Sequence, residues 1–123
     1  MASVTVSDDE IVVRFNATEI PLVARQKVTI PLSAVKEVAV LEKSLATQGA
    51  RRAGMFVTGV MKVGLWGTGT GVQQLVSVRR GTPALRIILD KYDAGLKIDE
   101  VMVSISDAAS VADDIERRRG ATR

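Results

Sequence analysis

Neither cysteine nor histidine occurs anywhere in this chain. Without cysteine there is no disulfide framework, no thiolate metal site and no redox dithiol; without histidine the commonest metal ligand and the commonest general base are missing. Zinc hydrolases, cysteine proteases, Ser-His-Asp hydrolases and dithiol redox proteins are thereby set aside, and no metal or cofactor is expected. Phe15, Phe56, Trp66 and Tyr92 are the whole aromatic set, too few for the stacking platforms of single-stranded nucleic-acid binding. No apolar run approaches bilayer-spanning length. The acidic start, residues 1–10, has neither the basic nor the apolar stretch of a signal peptide. A soluble, cytoplasmic protein is the expectation. Acids are missing from one long stretch: residues 43–89 hold no Asp or Glu but carry Lys43, Arg51, Arg52, Lys62, Arg79, Arg80 and Arg86.

What is present suits one domain with an aliphatic core. The chain has 123 residues, 46% of them apolar and mostly Val, Ala, Leu and Ile, enough to bury about two-thirds of the unfolded surface. Val and Ile favour pleated, half-buried surfaces. Alternation of apolar and polar positions predicts strands at residues 10–16, 27–30, 35–41 and 100–105, and glycines 59–71 suggest a strand broken by bends or bulges. A capped helical turn is expected within 17–26, beginning near Thr18. Residues 75–79 and 84–89 flank Arg80-Gly81-Thr82-Pro83 and read as a hairpin, while 43–61 reads as a long loop. Ala108, Val111, Ala112 and Ile115 recur at three- and four-residue spacings, which predicts a helix over about 108–119 with Ser106 or Asp107 as cap and Arg117 to Arg119 at its C-terminal end. Residues 1–9 and 120–123 are expected to be flexible tails.

Three segments carry a resemblance: KVTIPLSAVKEVAV (27–40), VSVRRGTPALRIILD (76–90) and VMVSISDAASVADDI (101–115). They resemble bacterial pleckstrin-homology (PH)-like proteins of this length, a small single-domain group. The best marker is Pro31-Leu32-Ser33-Ala34-Val35 together with Arg79-Arg80-Gly81-Thr82-Pro83. The resemblance implies a mainly β fold with one C-terminal α-helix, a strongly coiled antiparallel barrel of six or seven strands capped by the helix. It implies a fold more than a function, because function resides in sites placed on folds. Pleckstrin-homology domains at large bind phosphoinositide headgroups or peptides through a basic first hairpin. The comparable residues here are Arg14, Arg25 and Lys27, loosely spaced and interrupted by Glu19.

Candidate sites follow from the basic, glycine-rich 43–71 region. Lys43, Arg51, Arg52, Lys62 and Trp66 form a candidate anion- or partner-binding set, since guanidinium forks suit phosphate and carboxylate and Trp anchors interfaces. Each also has a plain reading, the cations as solubilising loop charges and Trp66 as core. Phe56, Val57, Val60 and Met61 form a candidate apolar interface if the loop projects. The run Gly67-Thr68-Gly69-Thr70-Gly71 lacks the following helix that a phosphate-cradling loop needs, so a sheet bend explains it better. Paired acids such as Asp99-Glu100 and Asp113-Asp114 face no second catalytic group, and Asp113–Arg117 and Asp114–Arg118 have helix-surface spacing. The expectation is therefore a non-catalytic binding module that meets a protein partner or an anionic group. A peripheral adaptor on anionic lipid and a structural homo-oligomer are the alternatives, and nucleic acid is disfavoured.

Overall fold

The computed structural model describes residues 2–17, 19–20, 26–41, 50–57, 61–68, 73–90 and 98–122, with backbone alone for 50–57, 67–68 and 120–122. Its strands are β1 (Ser3–Val6), β2 (Glu10–Arg14), β3 (Lys27–Pro31), β4 (Val35–Leu41), β5 (Ala50–Val57), β6 (Met61–Thr68), β7 (Gln74–Arg79), β8 (Ala84–Leu89) and β9 (Glu100–Ser104). One α-helix, α1 (Ala108–Thr122), follows them. The protein is mainly β with a C-terminal helix, but among the described residues the strands do not close into a barrel. They form a three-stranded sheet ordered β1-β2-β3 and a six-stranded sheet ordered β4-β8-β9-β7-β6-β5.

The break between the sheets follows from Pro31. It ends β3, and a single 3-10 turn at Leu32–Ala34 carries the chain across, with Leu32 and Ala34 buried. Both sheets then contribute to one core. Ile11 and Val13 of β2 face Ile30 and Val28 of β3, and these pack with Leu75, Leu85, Ile87, Val101 and Val103 of the larger sheet and with Ile115 of α1. Alternation explains these faces: β2 and β3 each bury every second residue. β9 is buried along its whole length and β7 along nearly all of it, because a second apolar cluster of Trp66, Val76, Val78, Ala84 and Met102 fills the other face of this sheet.

Four sequence expectations need correction. Residues 3–6 are not a tail: β1 pairs antiparallel with β2, placing Val4 on Val13 and Val6 on Ile11. Residues 120–122 likewise continue α1. Within the supposed loop 43–61, residues 50–57 are β5, paired antiparallel with β6. This pair carries two irregularities: Arg51 and Ala53 face the adjacent residues Trp66 and Leu65, and Ala50 and Arg51 face Thr68 and Trp66. Arg52 on β5 and Gly67 on β6 are thus the extra residues of two bulges, which coil the pair.

The fourth correction concerns β7 and β8, which are not a hairpin. β9 lies between them, parallel to β7 and antiparallel to β8. The connection at residues 80–83 therefore spans two strand spacings, about 10 Å, which four residues can reach. Its turn chemistry is still as expected. Thr82 N–H donates to the Arg79 carbonyl at 3.4 Å and Gly81 has φ of +85°, the left-handed value that the third position of a type II turn requires. The inserted strand secures the turn from beneath. Ser104 Oγ accepts from Arg79 N–H at 2.8 Å and donates to the Thr82 carbonyl at 3.3 Å, and Ile105 N–H donates to the Pro83 carbonyl at 3.1 Å.

Candidate functional site

The turn between β7 and β8 forms one wall of a hollow. Met61, at the start of β6, is the cross-strand partner of Arg79. Met61, Arg79, Arg80 and Gly81 line an open hollow of about 470 Å³. Arg79 is half-buried and Arg80 exposed, so two arginines and a methionine line the hollow, with no acid among its described lining residues. Arginine presents a planar fork that fits carboxylate or phosphate, and the Met61 side chain offers an adaptable apolar surface beside it.

The sequence-nominated residues are distributed differently. Lys43 and Val60 lie outside the described residues. Arg51, Arg52, Phe56 and Val57 all fall on β5, with Arg51 opposite Trp66, Phe56 opposite Lys62 and Val57 opposite Met61. Of the candidate apolar interface, Met61 alone reaches the hollow with a described side chain. Trp66 is 3% exposed. Its indole is enclosed by the second cluster and is not a surface anchor, because β6 turns that face toward Val76, Val78 and Met102. Lys62 Nζ stands 5.8 Å from the Trp66 ring centroid, within cation–π range. Burial holds its ammonium pKa below the ordinary lysine value.

A second pair of cations comes together on the smaller sheet. Arg14 and Lys27 are directly opposite one another on β2 and β3, with Ser3 of β1 next in register, and both are exposed. The pairing sets two of the three loosely spaced cations opposite one another, while Arg25 lies outside the described residues. Like charges facing across a ladder repel, so this spot attracts anions.

The buried acids serve the fold. Glu19 and Asn16 form a reciprocal cap: Asn16 N–H donates to Glu19 Oε1 at 3.1 Å and Glu19 N–H to Asn16 Oδ1 at 3.0 Å. Asn16 thus opens a capped turn that Glu19 closes, while Thr18, the expected start, lies outside the described residues. The other Glu19 oxygen accepts from Ser77 Oγ, which ties the β2–β3 connection to β7. Glu100 accepts from Arg86 Nε at 2.5 Å and from Gln74 Nε2. Asp99 Oδ2 accepts from Gln73 N–H at 2.9 Å. Among the described residues no group of acids has a metal-holding arrangement, and no helix is long and apolar enough to cross a membrane.

On α1, Asp114 rather than Asp113 pairs with Arg117, at 3.0 Å, and it also pairs with Arg118, at 2.9 Å. Arg118 reaches on to Asp8 at 2.5 Å, tying the helix to the β1–β2 connection. The hydrogen bond from Arg118, with Arg117 adding to it, holds the Asp114 carboxyl below its ordinary pKa. The depressed value means that this stabilisation is present above the ordinary carboxylate pKa and is lost as pH falls through the lowered one. An NMR titration of the Asp114 carboxyl is expected to show the lowered value, and Arg118→Gln to move it upward.

No family model, curated protein or solved structure matches this chain.

Proposed function

We propose that the protein is a non-catalytic binding module that receives an anionic group of a protein partner at the hollow beside the β7–β8 turn. The observation that carries this reading is the hollow of about 470 Å³ between Met61 and the Arg79-Arg80-Gly81 turn. Cationic forks next to an apolar wall suit a carboxylate or phosphate presented beside an apolar side chain. The turn backbone is fixed from beneath by Ser104, so the two arginines are carried on an ordered base, which lowers the ordering cost of binding. We extend the proposal to a PH-like kinship, supported by two sheets packed with one C-terminal helix; the parallel β7–β9 pair and the open sheet edges depart from that pattern.

A second reading, attachment to an anionic lipid surface, is favoured by the exposed Arg14–Lys27 pair on the smaller sheet. NMR amide shifts separate the two. Titration with a short acidic peptide is expected to move Met61, Gly81 and Thr82, and Arg80→Glu to weaken that binding by about tenfold or more. Phosphatidylserine vesicles that broaden Arg14 and Lys27, only at low salt, would favour the lipid reading instead.

A further inference from the structure

Met61 and Arg79 are directly opposed in the antiparallel β6–β7 pair. Residues so opposed share a face, with Cβ atoms about 5 Å apart. The hollow therefore sets one cation and one apolar side chain within reach of a single bound residue. Gly81 lines the same hollow and adds a backbone donor. No hydrogen bond among the described residues engages its N–H, whereas the next amide, Thr82, is committed to the Arg79 carbonyl. A Cβ at Gly81 would meet nothing within 4 Å. The bare backbone at this position is thus open to close approach by another chain, and Arg80, exposed beside it, supplies a second positive charge.

We infer that the group received at this hollow is the free C-terminal carboxylate of a partner polypeptide whose last residue is apolar. This rests on the reading of the hollow as an anion site and narrows it. A terminal apolar residue carries its carboxylate and its side chain on one Cα, which matches a cation and a thioether one cross-strand step apart. An acid inside an extended segment matches less well. Its immediate neighbours point to the opposite face, and the nearest side chain on its own face lies about 7 Å along the chain. The terminal carboxylate accepts from Arg79 and from the Gly81 N–H, a combination of charged and backbone donors suited to a chain end. The terminal side chain packs on Met61, whose flexible thioether adapts to differently branched apolar groups. At about 470 Å³ the hollow has the size of a small-ligand site, so it accommodates a chain end rather than a long segment.

NMR titration of the unaltered full chain with a set of N-acetylated peptides, otherwise of glycine and serine, tests this. The first ends in leucine as the free acid, and the second is its C-terminal amide. The third ends in glycine as the free acid. The fourth is amidated, carries the same net charge as the first on one internal glutamate, and has leucine beside it. The first is expected to shift the amides of Met61 and Gly81, with the second and fourth weaker by about tenfold or more. The third should be about tenfold weaker, since the burial of the leucine side chain is lost. An amide that binds as tightly as the free acid overturns the inference, and so does equal binding of the glycine-ended peptide. A fourth peptide as tight as the first, shifting the same amides, overturns it while leaving the anion reading of the hollow standing. Shifts at Met61 and Gly81 from none of the peptides overturn both.

Discussion

Arg86→Met should destabilise the fold by about 3 kcal/mol in urea denaturation, far more than an ordinary surface ion pair would cost. Glu100 is nearly enclosed on the central strand β9, with its side chain 4% exposed against 30% for Arg86. Arg86 Nε lies 2.5 Å from Glu100 Oε1, and the other oxygen accepts from Gln74. Removing the guanidinium leaves a carboxylate among Met102, Gln74 and the apolar second face with no cation beside it. That uncompensated charge, rather than the lost attraction, dominates the cost. Water reaching the partly exposed Arg86 position places the effect at the low end of the range for buried pairs. The double variant Arg86→Met with Glu100→Gln should lie within about 1 kcal/mol of the unaltered protein, because the amide keeps a partner in Gln74 and no charge remains buried. A single-variant cost below about 1 kcal/mol would show the pair to be a solvated surface contact.

The polar band has a positional consequence. Gln74, Glu100 and Arg86 come from β7, β9 and β8, the three strands whose order departs from sequence order. Gln74 stands opposite Glu100 in the parallel pair, and Arg86 opposite Met102 in the antiparallel one. A one-residue slip of β9 would send Glu100 to the other face of the sheet, toward Leu75 and Leu85, with no cation in reach. The ion pair thus fixes the register of the inserted strand, while the apolar contacts around it supply most of the burial energy.

Legibility in the sequence varied with how local the determining contacts are. The strand at 35–41 and the start of the helix at Ala108 match the expected positions because periodicity alone sets them. β5 has no such signature. Its residues ARRAGMFV show no alternation, and it becomes a strand through pairing with β6. β1 is only four residues long and carries little signal. The β7–β8 connection shows the limit most clearly. Turn chemistry at Arg79 to Thr82 was readable, but the insertion of β9, about twenty residues downstream, was not, since no local pattern encodes which strand fills a gap. A capped turn within 17–26 was expected from local residue types, whereas the reciprocal Asn16–Glu19 cap was not, and the burial of Glu19 against Ser77 depends on a partner 58 residues away. The hollow followed the same rule. Arg79 and Arg80 were counted among the cations of the acid-free stretch but not placed in the candidate anion set, and Met61, nominated only for an apolar interface, joins them from a different strand.

Trp66→Ala should cost about 3–5 kcal/mol and leave binding at the hollow intact once the variant is folded at low temperature. The indole fills the face of the six-stranded sheet between Val76, Val78, Ala84 and Met102, with Leu41 packed beside them. Truncation there removes the transfer free energy of the largest side chain in the chain and leaves a cavity that rigid strands on three sides cannot collapse to fill. Lys62 would lose the ring beneath its ammonium as well. An interface anchor would behave in the opposite way: its truncation would spare stability and abolish association. Trp66 is the single tryptophan, so fluorescence reports on it without ambiguity. Emission should be blue-shifted and resistant to acrylamide quenching in the folded protein, and Trp66→Phe should retain most of the stability because it keeps an aromatic core. Ready quenching, together with a small stability change on truncation, would return Trp66 to the surface and restore it to the partner-binding set.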